Sequence, residues 1–202
     1  MMTARLFLAL YGCLLTVAVA NGATVYTYTG NTYDTIAGSV YDSTMRVAGS
    51  LQLAEALVPD LVATAVTPTH FTFSDGVTVF TESNTDSILF TFWTDSSGAI
   101  AEWNIDLRIA FPSPAAIGDI AARLVSTHDV FIQPDGGSFG ICTRVANGMC
   151  VATGDFNAAL SSSTLNPPGT WRVSAAPLPA AVYLFGTGLC ILCGIAKRRT
   201  AV

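Results

Sequence analysis

Ala101-Glu102-Trp103-Asn104-Ile105-Asp106-Leu107-Arg108-Ile109 alternates apolar and polar residues without a break. Ala101, Trp103, Ile105, Leu107 and Ile109 fall on one side, and Glu102, Asn104, Asp106 and Arg108 on the other, which is the period of two of a half-buried strand. Upstream, Ile88 to Thr94 is a second strand rich in aromatics, and Asp95-Ser96-Ser97-Gly98 joins the two as a turn, so the pair reads as a hairpin. A second hairpin is written as Phe71-Thr72-Phe73-Ser74, then Asp75-Gly76, then Val77-Thr78-Val79-Phe80, with Asp-Gly supplying the positive φ of a tight turn.

Further strands are expected at Val25 to Thr29, Met45 to Leu53 and Val130 to Gln133, and only Ile117 to Val125 carries a helical pattern. Antiparallel hairpins with one wet face predict an all-β, two-layer antiparallel β-sandwich. This domain runs from Thr24 to about Arg172, near 150 residues, a common size for one folding unit. Asn166-Pro167-Pro168-Gly169 marks its expected end, beyond which the chain extends, with Trp171 as a linker contact. There is no internal repeat or low-complexity tract.

Both ends carry processing signals. At the N-terminus, Arg5 is followed by an apolar stretch from Leu6 to Val19, and Ala18-Val19-Ala20 fits the small-x-small pattern of a signal peptidase site. Residues 1–20 are therefore expected to be a signal peptide, with cleavage after Ala23 as the alternative. Leu10-Tyr11-Gly12-Cys13 is a poor lipoprotein box, because Tyr11 is bulky and the apolar stretch continues past Cys13. At the C-terminus, Ala180 to Ala196 is an apolar run of 17 residues, at the lower limit for spanning a hydrocarbon core of about 30 Å. Its only polar breaks are Thr187 and glycines, whereas a helix packed on a soluble domain would keep a polar face. Lys197, Arg198 and Arg199 follow as a basic stop, which holds that end in the cytoplasm and places the domain outside. Residues 173–202 thus read as a sorting signal with a C-terminal transmembrane helix.

Ala176-Pro177-Leu178-Pro179-Ala180, the following Leu184-Phe185-Gly186-Thr187-Gly188-Leu189 and the basic end resemble the PEP-CTERM sorting domain in its VPLPA variant. Ala176 stands where that variant usually has valine, while the core of Pro177, Leu178, Pro179 and Ala180 is intact. The resemblance covers about the last eighth of the chain. It implies a substrate of an exosortase, a membrane protease and transpeptidase of Gram-negative bacteria that make exopolysaccharide, so an exosortase, the membrane and exopolysaccharide are the implied partners. The tail would be cut near Pro177-Leu178-Pro179, and a precursor anchored in the inner membrane would pass to the cell surface or matrix. Thr27-Tyr28-Thr29-Gly30-Asn31 and Phe73-Ser74-Asp75-Gly76 are also similar to small PEP-CTERM ectodomains with no assigned activity.

Charge narrows the function classes further. All fourteen acidic residues lie in the domain against five arginines and no lysine, a formal charge of −9. Such a surface repels nucleic acid, and it repels anionic lipid or polysaccharide unless cations bridge them, so no nucleic-acid partner is expected. Cys13 leaves with the signal peptide, and Cys190 and Cys193 lie in the apolar tail, which leaves Cys142 and Cys150. In an oxidising compartment these two are expected to form a disulfide, since a metal pair would need further ligands and no histidine or third cysteine is near in sequence.

Catalytic motifs are thin, and no enzyme, cofactor or metal is expected. Gly136-Gly137-Ser138-Phe139-Gly140 matches the Gly-x-Ser-x-Gly pattern, and His128-Asp129 lies just upstream. An elbow needs a helix after the serine and its histidine last in chain order, so the expectation is a glycine-rich turn after Pro134-Asp135. His70 falls on the polar side of its strand. Asp95, Glu102, Asp106 and Asp135 could contribute to a calcium site, against the plainer reading of solvated strand faces and turn aspartates. Trp93, Trp103 and Trp171 could form a sugar-stacking platform, although Trp103 lies on the apolar face of its strand and Trp93 fits either role. The resulting expectation is an exported surface or extracellular-matrix protein with a structural or adhesive role. The alternatives are a secreted carbohydrate-binding module and, behind it, a secreted hydrolase using Ser138.

Overall fold

The computed structural model describes residues 23–128, 134–161 and 169–175. The expected signal peptide, the strand at Val130 to Gln133, Pro177 to Ala180, the apolar run and Lys197 to Arg199 lie outside the described residues. The described chain forms β1 (Thr24–Thr32), β2 (Thr35–Ala37), β3 (Arg46–Leu53), β4 (Thr64–Ala65), β5 (His70–Ser74), β6 (Val79–Thr81), β7 (Ser87–Thr94), β8 (Ile100–Ile109), β9 (Ile120–His128), β10 (Asp135–Ala146), β11 (Met149–Leu160) and β12 (Thr170–Ala175). One sheet has the order β12-β1-β3-β5-β6 and the other β2-β11-β10-β9-β8-β7-β4, and every pairing in both is antiparallel.

The two sheets face each other over one apolar core, as the alternating sequence requires. In β8 the buried residues are Trp103, Ile105 and Leu107, the face the alternation assigns to the interior. They meet Tyr26 and Tyr28 of β1, Leu51 of β3 and Phe71 and Phe73 of β5 from the opposite sheet. Ring contacts bridge the layers, Tyr28 to Trp103 at 5.3 Å and Phe71 to Phe90 at 5.3 Å between centroids. The strands expected at Val25 to Thr29, Met45 to Leu53 and Ile88 to Thr94 are present, and Asp95 closes the β7–β8 turn by accepting the N–H groups of Ser97 and Ala99.

Four expectations need correction. Ile117 to Val125 is not a helix: β9 starts at Ile120, and Ala122, Leu124 and Ser126 alternate inward between β8 and β10. A small-residue segment with Leu and Val fits either period, and burial between two partner strands decides it. The hairpin around Asp75-Gly76 has a longer loop than a two-residue turn, because Ser74 pairs with Val79 and Val77 and Thr78 lie in the connection. The Asp75 carboxylate builds that loop by accepting the N–H groups of Val77 at 2.9 Å and Thr78 at 2.6 Å. Gly136 to Gly140 is not a turn but the first half of β10, an interior strand. Its glycines make room, since a Cβ at Gly137 would collide with the Asp75 side chain and one at Gly136 with Leu160. Finally, Trp171 is no linker contact. It packs against Tyr28, Phe92 and Trp103 with centroids at 4.9, 5.5 and 5.9 Å.

β12 runs to Ala175 along the outer edge of β1, and Thr24 stands opposite Ala175. The chain therefore enters and leaves the sandwich side by side.

Candidate functional site

The sequence motifs with catalytic potential are separated by the pleat. Ser138 lies opposite Arg123 in the β9–β10 ladder and faces outward, because its neighbours Gly137 and Phe139 turn inward toward Asp75 and Tyr41. His128 belongs to the inward set of β9, with its ring 4.8 Å from that of Trp103 and a buried Nδ1 that has no partner among the described residues. The serine and the histidine thus occupy opposite faces of one sheet, about 17 Å apart along the strand direction. Asp129 lies outside the described residues.

The carboxylates named for calcium are likewise dispersed. Asp95 caps its own turn, Glu102 is opposite Trp93, Asp106 lies between Arg108 and Arg123, and Asp135 is buried. Among the described residues no three His, Cys, Asp or Glu side chains are placed to hold a metal ion together. The tryptophans form no shared platform, since Trp103 and Trp171 meet in the interior and Trp93 is half-buried on the outer side of β7. Cys142 and Cys150 are joined in a disulfide across the β10–β11 hairpin, with Cα atoms 5.7 Å apart.

Two arrangements were not foreseen. The first is a polar cluster within the sandwich. Asp135 is 3% exposed, and the Tyr28 hydroxyl donates to its carboxylate at 2.9 Å from each oxygen. The Asn31 N–H donates at 3.3 Å, and Ser126 adds a side-chain hydrogen bond while accepting the Trp103 Nε1–H at 2.8 Å. Burial pushes the Asp135 carboxyl up to about 6, and the hydrogen bonds from Ser126, Tyr28 and Asn31 pull the other way without cancelling it. The same burial, with the Asp135 charge second, raises the Tyr28 phenol beyond its usual range. A second fully buried carboxylate, Asp75, accepts the Tyr41 hydroxyl at 2.6 Å, while its carbonyl accepts that of Tyr33 at 2.8 Å. Gly30 and Gly137 lie against the two carboxylates, where a methyl group would displace them. Each acid is held by tyrosine and backbone donors inside the core, an arrangement that fixes how the sheets seat on each other. The signal was present only as Asp75 beside a glycine and Asp135 before two glycines, which also describes ordinary turns.

The second is a groove of about 340 Å³ on the outer face of the larger sheet. Arg108 of β8, Arg123 of β9 and Ser138 of β10 stand in one row across three strands. Both guanidiniums rest on Asp106, with Nη2 atoms at 2.7 and 2.8 Å and Nε atoms at 3.1 and 3.0 Å from its oxygens. Partial burial would raise the Asp106 carboxyl, but the two arginines outweigh it and hold it down to about 2. Phe111 and Phe156 wall the groove, and Ala121 and Gly140 lie on its floor. Phe156 is 63% exposed, a large aromatic surface left in water. The alternation around Asp106 already placed Arg108 outward. Arg123 was hidden by the helical reading of its segment, so the pair was not legible.

No family model matches the chain, and neither does any curated protein or solved structure.

Proposed function

We propose that the chain is an exported surface or extracellular-matrix protein with a structural or adhesive role, sorted by an exosortase through Pro177, Leu178, Pro179 and Ala180. The observation that carries this reading is the succession at the C-terminus: a proline-bracketed motif, an apolar run of the minimum spanning length, and Lys197-Arg198-Arg199. The Cys142–Cys150 disulfide supports it, because such cross-links persist in oxidising compartments. So does the composition of the domain, five arginines, no lysine and fourteen acids, which suits neither nucleic acid nor an anionic bilayer surface. A hydrolase built on Ser138 and His128 loses its geometric basis, since the two face opposite sides of the sheet.

In this reading an inner-membrane precursor displays the sandwich outside the cell, and the exosortase detaches the tail. Intact mass of the protein recovered from outer and secreted fractions of its native culture tests it. The expected species ends between Pro177 and Ala180, with or without an added group. A species retaining Arg199 as the main form would overturn the sorting step.

The carbohydrate-binding alternative is favoured by one observation, the groove that pairs two arginines with an exposed phenylalanine on the outer face of the larger sheet.

A further inference from the structure

From the geometry of the outer-face groove we infer that it is a binding subsite for a carboxylated sugar ring, a uronic acid residue of a polysaccharide. The inference rests on the adhesive half of the reading above, and it does not depend on whether the tail is cut.

A guanidinium carries five N–H groups, and Asp106 takes two from each arginine, which leaves three on Arg108 and three on Arg123. The arginine side chains are 52% and 49% exposed while that of Asp106 is 17% exposed, so the carboxylate is covered and the cations face the groove. The lining side chains include these two guanidiniums and no carboxylate. Two further acids lie nearby: Asp86, engaged by the Ala110 N–H at 2.7 Å at the end of the groove, and Asp155, beside Phe156 and facing the neighbouring cavity. In a domain of formal charge −9, two of the five arginines are thus concentrated on one concave spot.

Asp106 also does for the pair what a ligand pocket requires. It fixes both guanidiniums against the sheet before anything binds, so the rotamer entropy of two long side chains is not lost at association. Their free edges match a carboxylate in the paired geometry that guanidinium and carboxylate prefer.

The remaining lining selects what carries that carboxylate. The floor at Ala121 and Gly140 is shallow and apolar, and Phe111 and Phe156 offer aromatic surfaces against which the C–H face of a ring gains dispersion contacts. Ser138 and Thr153 add hydroxyls for ring oxygens. A neutral sugar could accept hydrogen bonds from the arginines but would leave their charge unmatched, and a small free anion would leave the apolar floor unused. The volume, about 340 Å³, is at the small end for ligand sites and fits a short stretch of chain rather than a deep burial.

The test is titration calorimetry of the full chain in detergent with tetragalacturonate and, in parallel, with its methyl ester, which has the same rings without the charge. Binding of the acid at least tenfold tighter than the ester is expected. Arg108→Gln keeps Asp106 paired with Arg123, so it removes one cation without stranding the carboxylate. It should weaken the acid about tenfold and leave the ester unchanged. Phe156→Ala, at an exposed position, should weaken both. The inference is overturned if acid and ester bind alike, if Arg108→Gln binds the acid as well as the parent does, if neither tetramer binds, or if acetate competes as well as galacturonate does. The mass measurement above is read independently, so failure of sorting and failure of this site are told apart.

Discussion

Asp135 sets a pH dependence that runs opposite to the usual one for an acid. Its folded value of about 6 lies above the ordinary carboxylate value because burial disfavours the ion. The folded state therefore holds this proton more tightly than the unfolded chain, and the associated stability is present in full below about pH 4 and lost as pH rises through 6. The stability at stake is on the order of 3 kcal/mol. Asp106 and Glu82, both held down to about 2, act in the other direction: the first by its two arginines against partial burial, the second by hydrogen bonds led by the His70 imidazole. Their contribution is lost only as pH falls below about 4. Urea midpoints should thus be higher at pH 4.5 than at pH 7, and Asp135→Asn should flatten that difference; an unchanged difference would assign it to another group. None of this was legible beforehand. An aspartate beside glycine reads as a turn, and only the opposing sheet, with Tyr28 and Asn31, turns Asp135 into a buried acid.

At the scale of elements, legibility followed the pleat. β8 could be assigned residue by residue because one face is apolar and the other charged, and β7 followed from the Asp95-Ser96-Ser97-Gly98 turn. β9 and the first half of β10 failed for related reasons: both are interior strands, β9 mixes Ala121, Ala122 and Ser126 with Leu124 and Val125 in a spacing that fits either period, and β10 opens on glycines and a serine that carry no period. What identifies them is their neighbours, which a single chain order does not reveal. The disulfide was readable from count and compartment, and the structure gives it a task, tying β10 to β11 across the register shifts at Cys142/Arg144 and Arg144/Val145. With a sequence separation of 8, the cross-link is worth about 2–3 kcal/mol in the chain-entropy account. Denaturant midpoints with and without a reducing thiol measure it; a shift near zero would mean that the ladder alone holds the hairpin.

At the scale of the molecule, closure depends on the last described strand. Trp171 fills the space between Tyr28, Phe73, Phe92 and Trp103, so β12 completes the core as well as the edge. Trp171→Ala should cost about 3 kcal/mol, the low end of the range for core aromatics, because the ring packs against the core while remaining partly exposed. Arg172→Ala, on the exposed neighbour, should stay within about 0.5 kcal/mol. Thermal melts of the pair check this, and equal melting temperatures would sink the assignment of Trp171 to the core. The sequence placed the domain end at the prolines because Asn166-Pro167-Pro168-Gly169 breaks any element; it could not show that the chain returns to pair with its own first strand. That pairing has a mechanical outcome. Thr24 lies opposite Ala175, and the ladder continues from there to Thr29 opposite Thr170. Its hydrogen bonds lie across the strands, so tension applied at Ala175 along the axis of β12 loads the rungs together in shear rather than peeling them one at a time. A protein held by that end under flow would resist extraction from its C-terminal side, with the tryptophan acting as a wedge that must be dragged out before the first strand lets go.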